Sequence, residues 1–289
     1  MTQHSLHRLT LGLALVVLMT AGLVNGQSAG PQAEAQAGLR AGQNFMPTPV
    51  YTEAEDQKIL RLFQGLRVSD VTDGMDAVGL QNIGLMDPEI HALWRDIEHF
   101  RHRFVGVAVT ARYVPTQNPP AGTRTVEDYD RWAAEWYEKR STEAYLDIIR
   151  PDTALVIEDA ASADVGSIGS YNILEWKGKG CVGVVTSATA RDTDEIITER
   201  IPLYLKKTGR GIRPGRNELE SVNRPVVCGG VLVMPGDIIV ADGDGVVVVP
   251  RARAEAVARY ARTIMDNDKA GRRDLYKQQG LKADDSIKK

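Results

Sequence analysis

An Arg-Asp pair follows a β-branched run in the segment GCVGVVTSATARDTDEI, residues 180–196. The carboxylate of Asp192 is a hard oxygen ligand of the kind that Mg²⁺ prefers. The guanidinium of Arg191 can form charge-assisted hydrogen bonds to a keto oxygen or a carboxylate. Together these side chains could polarise a 2-oxo acid and stabilise an enolate. The alternative is an ordinary solvated helix start, because acidic residues favour that end of a helix.

A segment of small residues, GSIGSYN at residues 166–172, follows a predicted strand. If a helix begins within it, the first N–H groups of that helix are free to bind an anion such as a carboxylate. The chain contains neither GxGxxG nor GxxxxGK[ST], so the sequence does not support dinucleotide binding. The segment therefore remains a candidate carboxylate site only.

A second acidic segment, PGDIIVADGDGVVVVP at residues 235–250, superficially resembles a calcium loop around Asp242 and Asp244. It lacks the third spaced oxygen ligand and the distal bidentate Glu of an EF-hand. Asp-Gly between two β-branched runs predicts a hairpin turn instead, because both residue types tolerate positive φ.

The elements that must position these groups begin after residue 50. Thr52 and Glu55 have the spacing of a capping box at a helix N-terminus. Residues 103–115 predict the first clear strand, and residues 127–149 have the periodicity of one long amphipathic helix.

The second half of the chain alternates between strands and helices. Residues 153–186 predict a strand–helix–strand unit with parallel pairing, and residues 224–250 predict hairpins. A C-terminal helix is expected over residues 254–268, followed by a polar and frayed tail, residues 269–289. A mixed α/β domain over residues 51–268 accommodates both kinds of pairing.

Composition excludes some classes of function. The chain has 289 residues, 43% of them hydrophobic, and a net charge of −3. It has no basic block, so nucleic-acid binding lacks an electrostatic footprint.

Cys181 and Cys228 are the two cysteines of the chain. Their apolar neighbours favour two buried small side chains, although a disulfide between them stays open.

The N-terminus has the pattern of a secretory signal peptide. Arg8 precedes an apolar run, residues 9–24, and small and polar residues follow it. A spanning helix usually needs about 20 apolar residues, so an uncleaved anchor is the alternative. We expect residues 1–26 to be removed, residues 27–50 to form a linker or extended arm, and the mature protein to be periplasmic or secreted without a stable membrane span.

Several segments, in order, resemble the RraA-like family. This family includes class II 4-hydroxy-4-methyl-2-oxoglutarate / 4-carboxy-4-hydroxy-2-oxoadipate aldolases and regulators of ribonuclease E activity, and some relatives were formerly named demethylmenaquinone methyltransferases. The matching segments are VSDVTDGMDAVG, FVGVAVTA, ALVIEDA, GSIGSYNILEWKGKGCVGVV, ARDTDEI and PVVCGGVLVMPGDIIVADGDGVVVVP. They span about residues 68–257, about two thirds of the chain. No S-adenosylmethionine motif accompanies them, so the methyltransferase name is set aside.

The resemblance implies a fold, a site and an assembly. The fold is an α/β/β sandwich of the swivelling-domain type with mixed sheets, assembled as a homotrimer or hexamer with the cleft at a subunit interface. Asp192 would ligate Mg²⁺ and Arg191 would contact the oxo group of the substrate. Backbone amides near the preceding helix start, at Gly169, Ser170 and Tyr171, would hold the substrate carboxylate.

The sequence departs from the aldolase signature at two places. Ser170 stands where the aldolases carry an acid, and Ser187 and Ala188 stand where they have Asp-Gly. A hydroxyl is a neutral, weaker ligand and a poor general base. Three nearby acids could compensate, and they are Asp159, Asp164 and Glu175. Metal and oxo-acid binding therefore carry over better than aldol cleavage does.

Three functions follow from these observations. The first is an exported, Mg²⁺-dependent lyase that cleaves or decarboxylates a 2-oxo acid. The second is a non-catalytic binding or regulatory oligomer that keeps the fold, which Ser170 favours. The third is a different reaction on the same metal-enolate platform. Regulation of a cytoplasmic ribonuclease fits an exported protein poorly.

Overall fold

A computed structural model describes residues 31–118, 120, 122, 124–160 and 164–288. The predicted signal segment, residues 1–26, lies outside the described residues. The chain divides into two compact units, one that ends at Phe45 and one over Met46–Lys289. In the first unit, helix α1 (Pro31–Ala41) lies where the sequence predicted a linker or extended arm. Its run of alanine and glutamine has high helix propensity, which accounts for the difference.

The second unit contains the remaining helices and all the strands. The helices are α2 (Glu53–Phe63), α3 (Val68–Ala77), α4 (Val126–Lys139), α5 (Ser170–Gly178), α6 (Thr193–Thr198) and α7 (Ala254–Gln279), with 3₁₀ turns at Ala144–Asp147 and Arg251–Arg253. The strands are β1 (His91–Ala92), β2 (Phe104–Pro115), β3 (Thr153–Asp159), β4 (Gly166–Ile168), β5 (Cys181–Thr186), β6 (Thr189–Ala190), β7 (Leu203–Leu205), β8 (Lys207–Thr208), β9 (Asn217–Val222), β10 (Val226–Cys228), β11 (Val231–Val233), β12 (Ile238–Asp242) and β13 (Gly245–Val249).

The main sheet is mixed and has the order β1-β7-β5-β3-β2-β12-β13, with β9 also paired to β2. Strands β2, β3, β5 and β7 run parallel, and the parallel pairing of β3 with β5 is the one that the strand–helix–strand pattern predicted. Strands β12 and β13 form the predicted hairpin, which closes at the Asp242–Gly245 pair. The side chain of Asp242 accepts the backbone N–H of Asp244 at 2.8 Å and that of Val68 at 2.9 Å. The turn interpretation of this acidic segment is confirmed.

Helices cover one face of the main sheet and a hairpin covers the other. Ile238 and Val240 pack with the apolar sides of α2, α3 and α7, whereas Ile239 and Ala241 pack with residues of the β10–β11 hairpin. This alternation follows from the two-residue period of a strand. Helices α5 and α6 cover β3 and β5 on the helical side. The layers run helix, sheet, sheet, and the α/β/β prediction is confirmed.

Two helix predictions need correction. The helix expected over residues 127–149 ends at Lys139, because the chain turns there: the N–H groups of Arg140 and Ser141 both donate to Trp136 O, and the Ser141 hydroxyl donates to Asn217. The C-terminal helix runs on to Gln279, past the predicted end at residue 268.

The chain after α7 folds back onto that helix instead of fraying. Arg273 donates to Ile287 O at 3.1 Å, Arg272 donates to Ser286 at 3.0 Å, and the side chain of Ile287 is buried. Each helix in the described part of the chain is too short or too polar to span a bilayer.

Cys181 and Cys228 are free thiols, and both are buried. Burial disfavours the thiolate, which raises the pKa of Cys181 to about 11 and that of Cys228 to about 12. The sequence left a disulfide between them open, and the structure separates them onto strands β5 and β10.

We expect both thiols to react with DTNB about 100-fold more slowly in the folded protein than a free cysteine does, because only the thiolate is nucleophilic. In concentrated guanidinium chloride both should react rapidly. Rapid labelling of the folded protein, or an absence of free thiols after unfolding, would contradict the structure.

Candidate functional site

Parallel pairing of two short strands brings the two candidate segments together. Strands β4 and β6 run side by side, with Gly166 paired to Thr189 and Ile168 to Ala190. The N–H of Arg191 then donates to Ile168 O at 2.8 Å. Because parallel strands end at the same edge of a sheet, the start of α5 and the Arg-Asp pair must meet there.

The backbone of Asp192 directs its carboxylate away from its own helix. Asp192 precedes α6 with φ 55° and ψ 40°, a left-handed conformation that costs a non-glycine residue about 1–3 kcal/mol. Its side chain makes no capping hydrogen bond within α6, and Oδ2 instead accepts the N–H of Ser170 at 3.4 Å. The carboxylate therefore faces the N-terminus of α5.

Arg191 reaches the same place because Gly166 has no side chain. A β-carbon at residue 166 would lie 2.7 Å from Cβ and 2.9 Å from Cγ of Arg191, so the arginine stem occupies that space. Its Nε lies 3.7 Å from Asp192 Oδ2, and the two side chains are 36% and 41% exposed. The pair is accessible to a small ligand while its backbone is fixed by the β4–β6 pairing.

Polar atoms of three residues lie close to Gly169, on the side where another residue would carry its side chain. A β-carbon on Gly169 would lie 2.9 Å from Asp192 Oδ2, 3.3 Å from Asn172 Oδ1 and 3.8 Å from Arg191 Nε. Carboxylate and amide oxygens are ligands for hard cations, and Mg²⁺ is commonly held by one or two carboxylates together with water and substrate. These donors fit a divalent cation. Among the residues that the structure describes, no group of three or more His, Cys, Asp or Glu forms a metal site.

The structure places four of the five predicted site residues together. Gly169, Ser170, Arg191 and Asp192 meet at the start of α5, where the amide of Ser170 is directed at the Asp192 carboxylate. Tyr171 is the fifth, and its side chain is 80% exposed on the first turn of α5. Tyr171 can take part through its backbone amide.

The three acids that could compensate for Ser170 are engaged elsewhere or point to solvent. Asp159 accepts hydrogen bonds from Ser167 at 2.5 Å and from Asn217 at 2.6 Å. Asp164 pairs with Arg210, which holds the pKa of that carboxyl below its usual value. Glu175 is exposed on the second turn of α5.

A buried polar cluster behind α5 was missed from the sequence. Glu143 accepts hydrogen bonds from Asn172 Nδ2 at 2.7 Å and Trp176 Nε1 at 2.8 Å, and it forms an ion pair with Arg213. Arg213 also donates to the Tyr113 hydroxyl at 2.8 Å. The side chains of Arg213 and Glu143 are only 4% and 11% exposed. This cluster connects the site helix to Tyr113 of β2 and, through Arg213, to the loop after β8.

No local sequence pattern predicts this polar cluster. Its acid lies in the stretch that the sequence assigned to the long helix, and its arginine lies in the irregular loop after β8. The one sequence signal was Asn172, two residues after Ser170 on the first turn of a predicted helix. Burial of the ring raises the pKa of Tyr113 to about 12, so its hydroxyl stays protonated beside Arg213 at neutral pH.

One cavity of the domain lies away from the Arg191–Asp192 pair. That cavity has a volume of about 340 Å³, and its walls include Tyr51, Asp56 and Arg150. The Arg191–Asp192 pair does not line it. The Arg191 and Asp192 side chains are instead partly exposed at the start of α5.

Comparison with known proteins agrees with this architecture. The RraA-like family model (Aldolase/RraA) matches residues 68–248, more than half of the chain. The chain belongs to the RraA-like family. The match includes every residue of the candidate site and ends within β13.

Individual relatives of this RraA-like chain are distant. It is 24% identical over 220 residues to Protein DlpA of Legionella pneumophila subsp. pneumophila, an alignment that covers 74% of the chain and 32% of DlpA. It is 30% identical over 131 residues to a Halalkalibacterium halodurans protein named "Putative 4-hydroxy-4-methyl-2-oxoglutarate aldolase", which covers 43% of the chain and 58% of the relative. The chain therefore spans less than two thirds of the length of these curated relatives.

A solved structure supports the fold of the RraA-like domain. The crystal structure of Streptomyces coelicolor RraAS2, described as an unusual member of the RNase ES inhibitor RraA protein family, superposes with a TM-score of 0.57 at 24% identity. The superposition covers 78% of this chain and 98% of that one. At this identity the likeness establishes the fold and not the activity.

Proposed function

We propose that this RraA-like protein is a divalent-metal-dependent lyase that cleaves or decarboxylates a 2-oxo acid. The observation that carries the proposal is the meeting of Asp192 Oδ2, Arg191 Nε and Asn172 Oδ1 over Gly169. A carboxylate, a guanidinium and the backbone amides at the start of α5 then share one accessible surface. The family match and the aldolase name of the Halalkalibacterium relative support a lyase.

Each group at the site has a defined task in this proposal. Asp192 holds the cation, which we propose to be Mg²⁺, and the bound cation supplies Lewis-acid polarisation of the 2-oxo group. The amides of Ser170 and Tyr171 hold the carboxylate of the substrate. Arg191 donates to the oxo oxygen, on which negative charge develops during the reaction.

The decarboxylation of oxaloacetate shows which bond breaks and where the electron pair and the proton go. The C3–C4 bond breaks, CO₂ leaves, and the electron pair of that bond forms the enolate of pyruvate. A proton delivered to C3 then gives pyruvate. Positive charge on Arg191 stabilises the enolate oxygen, and this step requires no acid at position 170. Decarboxylation therefore tolerates Ser170 better than an aldol cleavage that needs a base.

Export and assembly are also part of the proposal. The apolar run at residues 9–24 supports a cleaved signal peptide and a periplasmic or secreted protein. The family resemblance supports a homotrimer or hexamer. The exposure of the Arg191 and Asp192 side chains favours a site that a neighbouring subunit completes.

Ser170 favours a second candidate, a non-catalytic binding or regulatory oligomer. Of the acids considered as substitutes, Asp159 accepts hydrogen bonds from Ser167 and Asn217, and Asp164 pairs with Arg210. Such a protein would bind an oxo acid or a cation without turning it over. Binding without product release would distinguish this candidate from the lyase.

The test follows pyruvate release from oxaloacetate and from 4-carboxy-4-hydroxy-2-oxoadipate by the purified chain, in Mg²⁺ or in EDTA. We expect release that requires Mg²⁺, and we expect Asp192→Ala to lower it by at least about 100-fold, because the metal ligand is removed. Asp194→Ala is the matched control, since Asp194 is an exposed acid in the first turn of α6. It should keep the activity of the parent.

Two results would overturn the lyase. Release that is unaffected by EDTA and by Asp192→Ala would show that the reaction does not use this site. A folded protein that binds Mg²⁺ and releases no pyruvate from either substrate would favour a different reaction on the same platform or the binding oligomer.

A further inference from the structure

A hydrogen bond to Glu143 fixes the orientation of the Asn172 side-chain amide at the site. Its Nδ2 donates to Glu143 Oε1 at 2.7 Å. An ionised carboxylate can only accept hydrogen bonds, so the amino end of the amide must face Glu143. The oxygen end then faces Gly169: a β-carbon built on this glycine would lie 3.3 Å from Asn172 Oδ1 and 2.9 Å from Asp192 Oδ2.

Glu143 is itself held in place by the fold. One oxygen pairs with Arg213 and accepts from Asn172, and the other accepts from Trp176 Nε1 at 2.8 Å. The guanidinium of Arg213 is fixed in turn by Tyr113 and by Ser141 O at 3.2 Å. An amide anchored this way cannot rotate its NH₂ group toward Asp192 without breaking a bond to a buried carboxylate.

Two groups already counter the charge of the Asp192 carboxylate: the Ser170 N–H donates to Oδ2 at 3.4 Å, and Arg191 Nε lies 3.7 Å from it. The Asn172 oxygen adds partial negative charge on the same side of Gly169, and this further favours a cation near the Asp192 carboxylate. The amide group of Asn is a known ligand type for hard divalent cations. Ser170, the position where the aldolases carry an acid, is on the adjacent part of the same helical turn.

We propose that Asn172 gives its side-chain oxygen to the divalent cation held by Asp192, and that Glu143 is a positioning residue that fixes the orientation of this amide. The inference rests on the proposed function for the cation itself. Ser170 stands where the aldolases carry an acid that supports the metal. The inference gives part of that task to the neutral amide oxygen of Asn172.

The test is a Mn²⁺ titration of the full chain, in which electron paramagnetic resonance measures the free ion. Mn²⁺ takes the same oxygen ligands as Mg²⁺. We expect Asn172→Ala to weaken Mn²⁺ binding by about 10-fold, and Glu143→Gln to weaken it by a smaller factor, because a glutamine no longer dictates the amide orientation. Asn267→Ala, at an exposed asparagine of α7, is the control and should bind like the parent.

The Asn172→Asp variant tests whether Asn172 is a metal ligand or has only a structural role. The new carboxylate loses the hydrogen bond to Glu143 and adds charge next to Asp192, so the cation-free protein should melt at a lower temperature. Added charge on a ligand should nevertheless tighten Mn²⁺ binding by about 10-fold. Mn²⁺ should therefore raise the melting temperature of this variant more than that of the parent.

The outcomes distinguish the inference from the proposed function. Weaker binding in Asn172→Ala with tighter binding in Asn172→Asp supports the inference. Mn²⁺ binding by the parent that is unchanged in Asn172→Ala, or weakened equally in both variants, overturns the inference and leaves the metal-dependent lyase standing. A parent that binds no Mn²⁺ overturns both.

Discussion

Replacing Arg213 with methionine is expected to lower the free energy of unfolding by about 3–5 kcal/mol. The change leaves the carboxylate of Glu143 buried without its cationic partner, and it removes the hydrogen bonds to Tyr113 and to Ser141 O. Chemical denaturation measures the loss. Because Glu143 also anchors Asn172, the same variant should weaken Mn²⁺ binding.

Two comparisons make this prediction specific. Arg213→Met combined with Glu143→Leu removes both charges and should lose less stability than Arg213→Met alone, since no unpaired charge remains. Lys139→Met breaks an exposed ion pair with Glu135 on α4 and should leave the denaturation midpoint almost unchanged. An Arg213→Met variant as stable as Lys139→Met would mean that the buried ion pair does not form.

Replacing Gly169 with alanine is expected to lower Mn²⁺ affinity and pyruvate release by about 100-fold, while the fold survives. The added methyl group would lie 2.9 Å from Asp192 Oδ2, in the space that the polar atoms surround. The φ of residue 169 is −110°, which alanine adopts without strain. The melting temperature should therefore change by only a few degrees, and the defect should be one of binding.

Gly178→Ala is the matched control for this substitution. It lies on the same helix, and a β-carbon there would meet nothing within 4 Å. Because alanine favours a helix more than glycine does, this variant should be at least as stable as the parent and should bind Mn²⁺ normally. A Gly169→Ala variant that binds Mn²⁺ like Gly178→Ala would show that the cation is not held over Gly169.

The strand-rich core could be predicted from the sequence because its signals are local. The β-branched runs of β2, β3 and β5 and the Asp-Gly turn between β12 and β13 each specify their element within a few residues. The capping box of α2 was predicted from the spacing of Thr52 and Glu55, and both of its hydrogen bonds are present. The family resemblance added the layer order, which periodicity alone does not specify.

Helix ends were predicted less well because distant partners decide them. The helix predicted through residue 149 ends at Lys139, where Ser141 bonds to Asn217 from a strand far along the chain. The frayed tail expected after residue 268 continues as a helix that Arg272 and Arg273 connect to the last described residues. Neither set of hydrogen-bond partners lies within the short stretch of sequence over which helical periodicity is recognised.

By itself, the sequence determined the strands and turns of a mixed α/β domain and the chemical types of the Arg191–Asp192 pair, because local patterns encode strands, turns and ligand types. Only the tertiary structure decided which atoms share a site. The β4–β6 pairing brings Asp192 to the start of α5, and the left-handed backbone of Asp192 directs its carboxylate there. The orientation of Asn172 depends on Glu143, 29 residues away, and on Arg213. Such contacts form only when remote segments pack, and no sequence spacing specifies them.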